Sequence, residues 1–114
     1  MNHLAVVSIA SICHQLDCWL IHRSTDYVFG GNSDVPCQED IPTNAQGVYG
    51  GSTLQGEVAI EASGCKYLIT GAAWVYSEYG KNVLKNANGA DRDELSMVGD
   101  QIGGPTYAQD AAKW

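Results

Sequence analysis

A chain of 114 residues, 45% hydrophobic and 17% charged, has the make-up of an ordinary globular protein, not a disordered one. It is of one-domain length, able to bury about 65% of the surface its unfolded chain exposes. A net charge of -7, with six Lys and Arg scattered along the sequence, excludes nucleic acid and anionic membrane as partners, because both need clustered cations.

In chain order, Leu4 to Cys13 is an apolar run. It lacks the charged n-region and small-residue cleavage site of a signal peptide, and it is too short to cross a membrane. A helix over about 3–16 is predicted instead, with a cytoplasmic location as the default. A strand over 18–23 follows, centred on Trp19-Leu20-Ile21-His22. A long loop over 26–47 comes next, bracketed by Pro36 and Pro42 and turning at Gly30-Gly31-Asn32. A second helix is predicted over 49–63, where Leu54, Val58 and Ala62 recur at four-residue spacing as the stripe it buries. A strand over 66–71 leads to a loop carrying Trp74 and Tyr76. Beyond it a short helix near 81–88, cut by Asn86, Asn88 and Gly89, precedes a short strand from Leu95 to Val98. Helices alternating with short apolar strands predict an α/β fold with a parallel sheet and right-handed crossovers.

The cysteines Cys13, Cys18, Cys37 and Cys65 form neither a C-x-x-C pair nor a disulfide scaffold. His14, Cys18 and His22 lie at helical spacing, but a strand that begins near Cys18 need not put them on one face. Free thiols and no metal are the expectation.

Two segments carry candidate chemistry. Ser24-Thr25-Asp26-Tyr27-Val28-Phe29 is a hydroxyl-rich turn at the end of the first strand. Val48-Tyr49-Gly50-Gly51-Ser52-Thr53 starts a helix with a tyrosine and sets a threonine one turn on along the same face. Further blocks follow in order: Glu39-Asp40-Ile41-Pro42-Thr43-Asn44, Leu54-Gln55-Gly56-Glu57, Trp74-Val75-Tyr76 with Gly80-Lys81-Asn82, and Asp93-Glu94-Leu95-Ser96 through Asp100-Gln101-Ile102-Gly103-Gly104-Pro105-Thr106-Tyr107. On these blocks the chain resembles the middle portion of the dTDP-4-dehydrorhamnose reductase family, within the extended short-chain dehydrogenase/reductase superfamily.

The resemblance implies a partial Rossmann-like parallel sheet with crossover helices. It makes 1–114 a single incomplete domain, in which about 95–114 corresponds to the start of the substrate-closing region. It implies reduction of dTDP-4-dehydro-6-deoxy-L-mannose to dTDP-L-rhamnose, with NADPH or NADH as cofactor and the dTDP-sugar as partner. Tyr49 is then the proton donor and Thr25 the hydroxyl that polarises the carbonyl, with Ser24 as the neighbour that could take that part. Tyr49 and Ser24 face the cofactor, while Tyr27, Val28, Trp74, Gln101 and Pro105 line the sugar-nucleotide pocket.

Three departures weigh against activity. The family's catalytic lysine, one helical turn after the tyrosine, is Thr53. Threonine carries no charge with which to bring a phenol down from about pKa 10. Where the family has an arginine three residues before the tryptophan, this chain has Gly71. No G-x-x-G-x-x-G or G-x-G-x-x-G follows a strand, and the resemblance places those glycines upstream of this sequence. The expectation is a chain inactive as a reductase on its own. A non-catalytic binding or regulatory subunit and an inactive remnant are the alternatives. Uncovered sheet edges and apolar faces point to self-association or a protein partner.

Overall fold

The computed structural model describes residues 2–33, 35–82 and 99–113. The apolar run at the N-terminus forms α1 (Leu4–Gln15), followed by β1 (Trp19–Thr25) and a 3-10 turn (Asp26–Val28). After the long loop come α2 (Val48–Ser63) and β2 (Lys66–Ala72). The chain then forms β3 (Val75–Tyr76), β4 (Thr106–Tyr107) and a single-turn helix α3 (Ala108–Ala111). Most of the helix expected near 81–88 lies outside the described residues, as do the strand expected at Leu95 to Val98 and the Asp93-to-Ser96 block. The fold class is the one expected: α/β, with parallel strands and helices packed on them. Among the described residues, no helix is long and apolar enough to cross a membrane.

Contacts divide the chain into two units, Met1–Gly71 and Ala72–Trp114. In the first, β1 and β2 are neighbours in one sheet, joined through α2. Val6, Ala10 and Cys13 recur along one face of α1 and are its buried residues. They form the core with Ile60 of α2 and Cys65, and Leu20 of β1 and Ile69 of β2 pack against it. Alternation along β1 leaves Trp19 and Ile21 exposed on the opposite face.

The buried stripe of α2 differs from the expectation. It is Gly50, Thr53, Gly56 and Ile60, whereas Val58 is 55% exposed. The reason is steric. A Cβ on Gly56 would lie 2.6 Å from the Asn2 carbonyl oxygen and 3.6 Å from Val6, so α2 meets α1 through its bare backbone. Contact at that range requires the small residues to face inward, and it turns the larger Leu54 and Val58 aside.

α1 ends in a Schellman turn. Asp17 takes the left-handed conformation at φ 51°, its N–H donates to the His14 carbonyl at 3.3 Å, and the Cys18 N–H donates to the Cys13 carbonyl at 3.0 Å. Asp17 also pairs with Lys66 at the start of β2, with Nζ to Oδ1 at 2.7 Å. The ammonium holds the Asp17 carboxyl below its ordinary range, first by hydrogen bonding and then by charge.

In the second unit β3 and β4 are parallel, with Val75 opposite Thr106 and Tyr76 opposite Tyr107. The two tyrosine rings stack at 5.4 Å with a 31° tilt. Glu78 accepts from the Tyr107 hydroxyl at 3.0 Å and from Gln109 Nε2 at 3.3 Å. The carboxylate raises the Tyr107 pKa.

Two expected outcomes follow from this packing. Ile60→Ala should cost about 2–5 kcal/mol and Gly56→Ala about 1–3 kcal/mol in denaturant unfolding, while Val58→Ala should stay within about 0.5 kcal/mol. If the three ranked in the opposite order, the stripe assigned here would be wrong. For the ion pair, the folded pKa of Asp17 lies below its unfolded value. Its stabilisation is therefore present above the ordinary carboxylate pKa of about 3.9 and is lost as pH falls through the depressed value. Lys66→Met should lower the thermal midpoint at neutral pH and converge with the parent chain in strong acid, as followed by melts across that range.

Candidate active site

The end of β1 and the start of α2 meet in the first unit. Their meeting depends on Gly50, where a side chain would collide with the Tyr27 carbonyl. Bare helix backbone lying against the 3-10 turn puts the next residue back, Tyr49, beside Tyr27. The two rings meet edge to face, with centroids 5.9 Å apart at 73°. Both are about half exposed, 56% for Tyr49 and 52% for Tyr27.

The hydroxyls around this pair are already bonded. Ser24 donates to Glu57 Oε1, one turn past Thr53 on α2. Thr25 caps the 3-10 turn, accepting from the Tyr27 N–H at 3.3 Å, and donates to Asp26 Oδ1 at 3.1 Å. Thr53 donates back to the Tyr49 carbonyl oxygen at 3.0 Å, an i to i−4 bond within α2. Ser24, Thr25 and Thr53 are all buried. Val28 is only 3% exposed, and its carbonyl accepts from the Asn44 N–H at 2.9 Å, which ties the long loop to the turn. Its side chain is buried.

The remaining candidates lie in the second unit. Trp74 takes φ 44°, a left-handed conformation unusual for a bulky residue and worth about 1–3 kcal/mol of strain. Its carbonyl accepts from the Thr106 N–H at 3.3 Å, and a Cβ on Gly103 would lie 3.1 Å from its ring. The turn Gly103-Gly104-Pro105 is thereby fixed beside Trp74, so Trp74 and Pro105 come together. Gln101 and Pro105 are both exposed.

Sequence reasoning missed Glu57, which takes the Ser24 hydroxyl. The signal was its position one turn beyond Thr53 on the helix that starts with Tyr49. It also missed the β3–β4 pairing, for which the Gly-Gly-Pro turn ahead of Thr106 was the available sign. An open concavity of about 620 Å³ lies elsewhere, on the long loop at Cys37, Gln38, Glu39 and Asp40. Its two carboxylates make a poor seat for a phosphate. Among the described residues, no three His, Cys, Asp or Glu side chains are grouped to hold a metal ion.

Two of the residues at the helix start and strand end, Thr53 and Ser24, do not fit a dinucleotide. Thr53 points its hydroxyl into its own helix, and Ser24 is committed to a carboxylate that would repel phosphate. Neither offers the positive charge or the free donor that a nicotinamide ribose and its phosphates require.

Over residues 1–114 the sequence matches the family described as RmlD substrate binding domain. It is 40% identical over 111 residues to the dTDP-4-dehydrorhamnose reductase of Escherichia coli (strain K12), a span of 96% of this chain and 37% of that protein. It is 42% identical over 112 residues to the dTDP-4-dehydrorhamnose reductase of Sinorhizobium fredii, covering 96% of this chain and 38% of that one. Among solved structures, a dTDP-4-dehydrorhamnose reductase from Clostridium acetobutylicum matches with a TM-score of 0.92 at 36% identity, over 99% of this chain and 41% of its own. The Bacillus anthracis dTDP-4-dehydrorhamnose reductase, solved in complex with NADP, matches with a TM-score of 0.92 at 34% identity, over 97% and 40%. The chain thus spans about two-fifths of the length of these relatives. A strand-end hydroxyl turn seated against a helix-start tyrosine, with matching sequence from end to end, makes this chain a member of the dTDP-4-dehydrorhamnose reductase (RmlD) family.

Proposed function

We propose that this chain carries the sugar-facing part of a dTDP-4-dehydrorhamnose reductase site and does not reduce the sugar by itself. The observation that supports this most is the seating of Tyr49 beside the Thr25–Tyr27 turn through the bare backbone of Gly50. In this reading Tyr49, about half exposed, offers its hydroxyl as a hydrogen-bond donor to the carbonyl oxygen of dTDP-4-dehydro-6-deoxy-L-mannose. It would pass on its proton only where a hydride donor reduces the carbonyl carbon. Thr25 turns its hydroxyl from Asp26 to the same oxygen as a second donor. In the second unit Trp74, held in a strained conformation beside Pro105, offers an aromatic face to a sugar, and Gln101 is exposed. In the first unit Tyr27 is an exposed polar group beside Tyr49. Val28 supports the wall from behind.

Hydride delivery from NADPH or NADH is not assigned to this chain, since its residues do not fit the cofactor. Loss of the lysine and its charge is worth on the order of 10²–10⁴ in rate. The same substitution favours a second reading, a non-catalytic binding or regulatory subunit that recognises a dTDP-sugar without turning it over. The exposed Trp19 and Ile21 on the outer face of β1 support a covering partner, a second copy or further chain in either case.

The test is an amide-shift titration of the ¹⁵N-labelled chain with dTDP and, separately, with NADPH. The expected result is saturable shifts at Thr25, Tyr27, Tyr49 and Trp74 with dTDP, none with NADPH, and no NADPH consumption when the keto-sugar is added. Silence toward dTDP would sink both readings. Saturable NADPH binding, or turnover, would overturn the assignment of a site without a cofactor.

A further inference from the structure

The C-terminal cap of α1 does more than end a helix. In a Schellman turn, the side chains three residues before the cap and two after it face each other, and they are normally an apolar pair that seals the turn. Here those two positions are Cys13 and Cys18. The Cys18 N–H bonds the Cys13 carbonyl at 3.0 Å, and Asp17 makes the left-handed step between them. The turn sets the two residues side by side at the end of the helix.

We propose that Cys13 and Cys18 form a modification site, a thiol pair that a peroxide closes into a reversible disulfide across the α1 cap. The backbone bond holds the two positions side by side, as a bridge between Cα atoms about 4.4–6.8 Å apart requires. Exposure divides the roles. Cys18 is exposed and meets the oxidant, whereas Cys13 is 8% exposed and sits behind it. The Cys18 thiolate attacks one peroxide oxygen, so an S–O bond forms and the O–O bond breaks, leaving a sulfenic acid and one water. Cys13 sulfur then attacks Cys18 sulfur, an S–S bond forms and the S–O bond breaks. The departing hydroxyl takes the Cys13 proton as a second water. Two thiols lose two electrons, and one peroxide is reduced to two waters.

Neither of the other two cysteines shares this geometry. Cys37 is exposed on the long loop, and Cys65 is buried in the core behind Cys13. The Cys13 thiol is held above its ordinary pKa, first by its hydrogen bond to Cys18 and then by burial, which suits the partner that attacks second. In a reducing compartment such a bridge is transient and returns to the dithiol.

The reduced full chain, treated with hydrogen peroxide, alkylated with N-ethylmaleimide and digested with trypsin, tests this. Cys13 and Cys18 share the first tryptic peptide, which ends at Arg23. The expected product is that peptide two hydrogen atoms lighter than the dithiol, without alkyl groups, and restored by dithiothreitol before alkylation. Cys37→Ser should form the bridge as the parent does. Cys18→Ser, an exposed change that spares the core, should leave Cys13 open to alkylation once unfolded. A peptide carrying two alkyl groups or a sulfinic acid would overturn the proposal, as would a Cys13–Cys65 link or a Cys18-linked dimer as the main product.

Discussion

The first unit depends on α2 lying with bare backbone against its neighbours at two points. At Gly50 it touches the Tyr27 carbonyl, and at Gly56 it touches the Asn2 carbonyl and Val6. Between these contacts the helix has no freedom to rotate. Thr53 is driven inward, Ile60 is carried into the core beside Ala10, and Tyr49 is set on the exposed side next to Tyr27. A helix seated by large side chains could repack around a new residue. One seated on carbonyl oxygens cannot, because neither the backbone nor its polar atoms can give way cheaply.

The polar groups of the site follow from the same seating. Turned inward, Thr53 has only its own helix to bond, so its hydroxyl returns to the Tyr49 carbonyl. Ser24, facing the same helix one turn past Thr53, finds Glu57. Thr25 faces the turn and caps it. Each buried hydroxyl is thereby satisfied within the chain, as burial requires. In the proposed reading the cost falls on function, because Thr53, where the resemblance puts a cation, is a neutral group bonded to backbone.

The second unit holds its own candidate residues by other means. Trp74 is held in a left-handed conformation by a short parallel pairing, with Gly103 against its ring and the Thr106 N–H on its carbonyl. Strain of this kind persists where surrounding contacts over-determine it. The Tyr76–Tyr107 stack and the bonds to Glu78 supply those contacts. At the other end of the chain, the α1 cap shows again how local backbone geometry sets chemistry. The left-handed step at Asp17 both presents its carboxylate to Lys66 and brings Cys13 to Cys18.

The sequence by itself determined the element order of the first unit, because apolar runs, prolines and glycines act locally. α1, β1, α2 and β2 fall within two residues of where the pattern puts them. It also determined the family and the candidate tyrosine, since ordered motif blocks survive without any knowledge of packing. Only the tertiary structure decided which face of α2 is buried. A count of apolar residues favours Leu54 and Val58, but close approach to a carbonyl favours glycine, and close approach prevailed. Only the tertiary structure, too, decided what each hydroxyl does, joined Trp74 to the Pro105 turn and set Cys13 beside Cys18. The bonds of Thr25 and Thr53 and the cysteine cap are local. The Ser24–Glu57 bond, the seating of Gly50 and Gly56 and the Trp74–Thr106 bond join atoms far apart in the chain, and no local pattern encodes that distance.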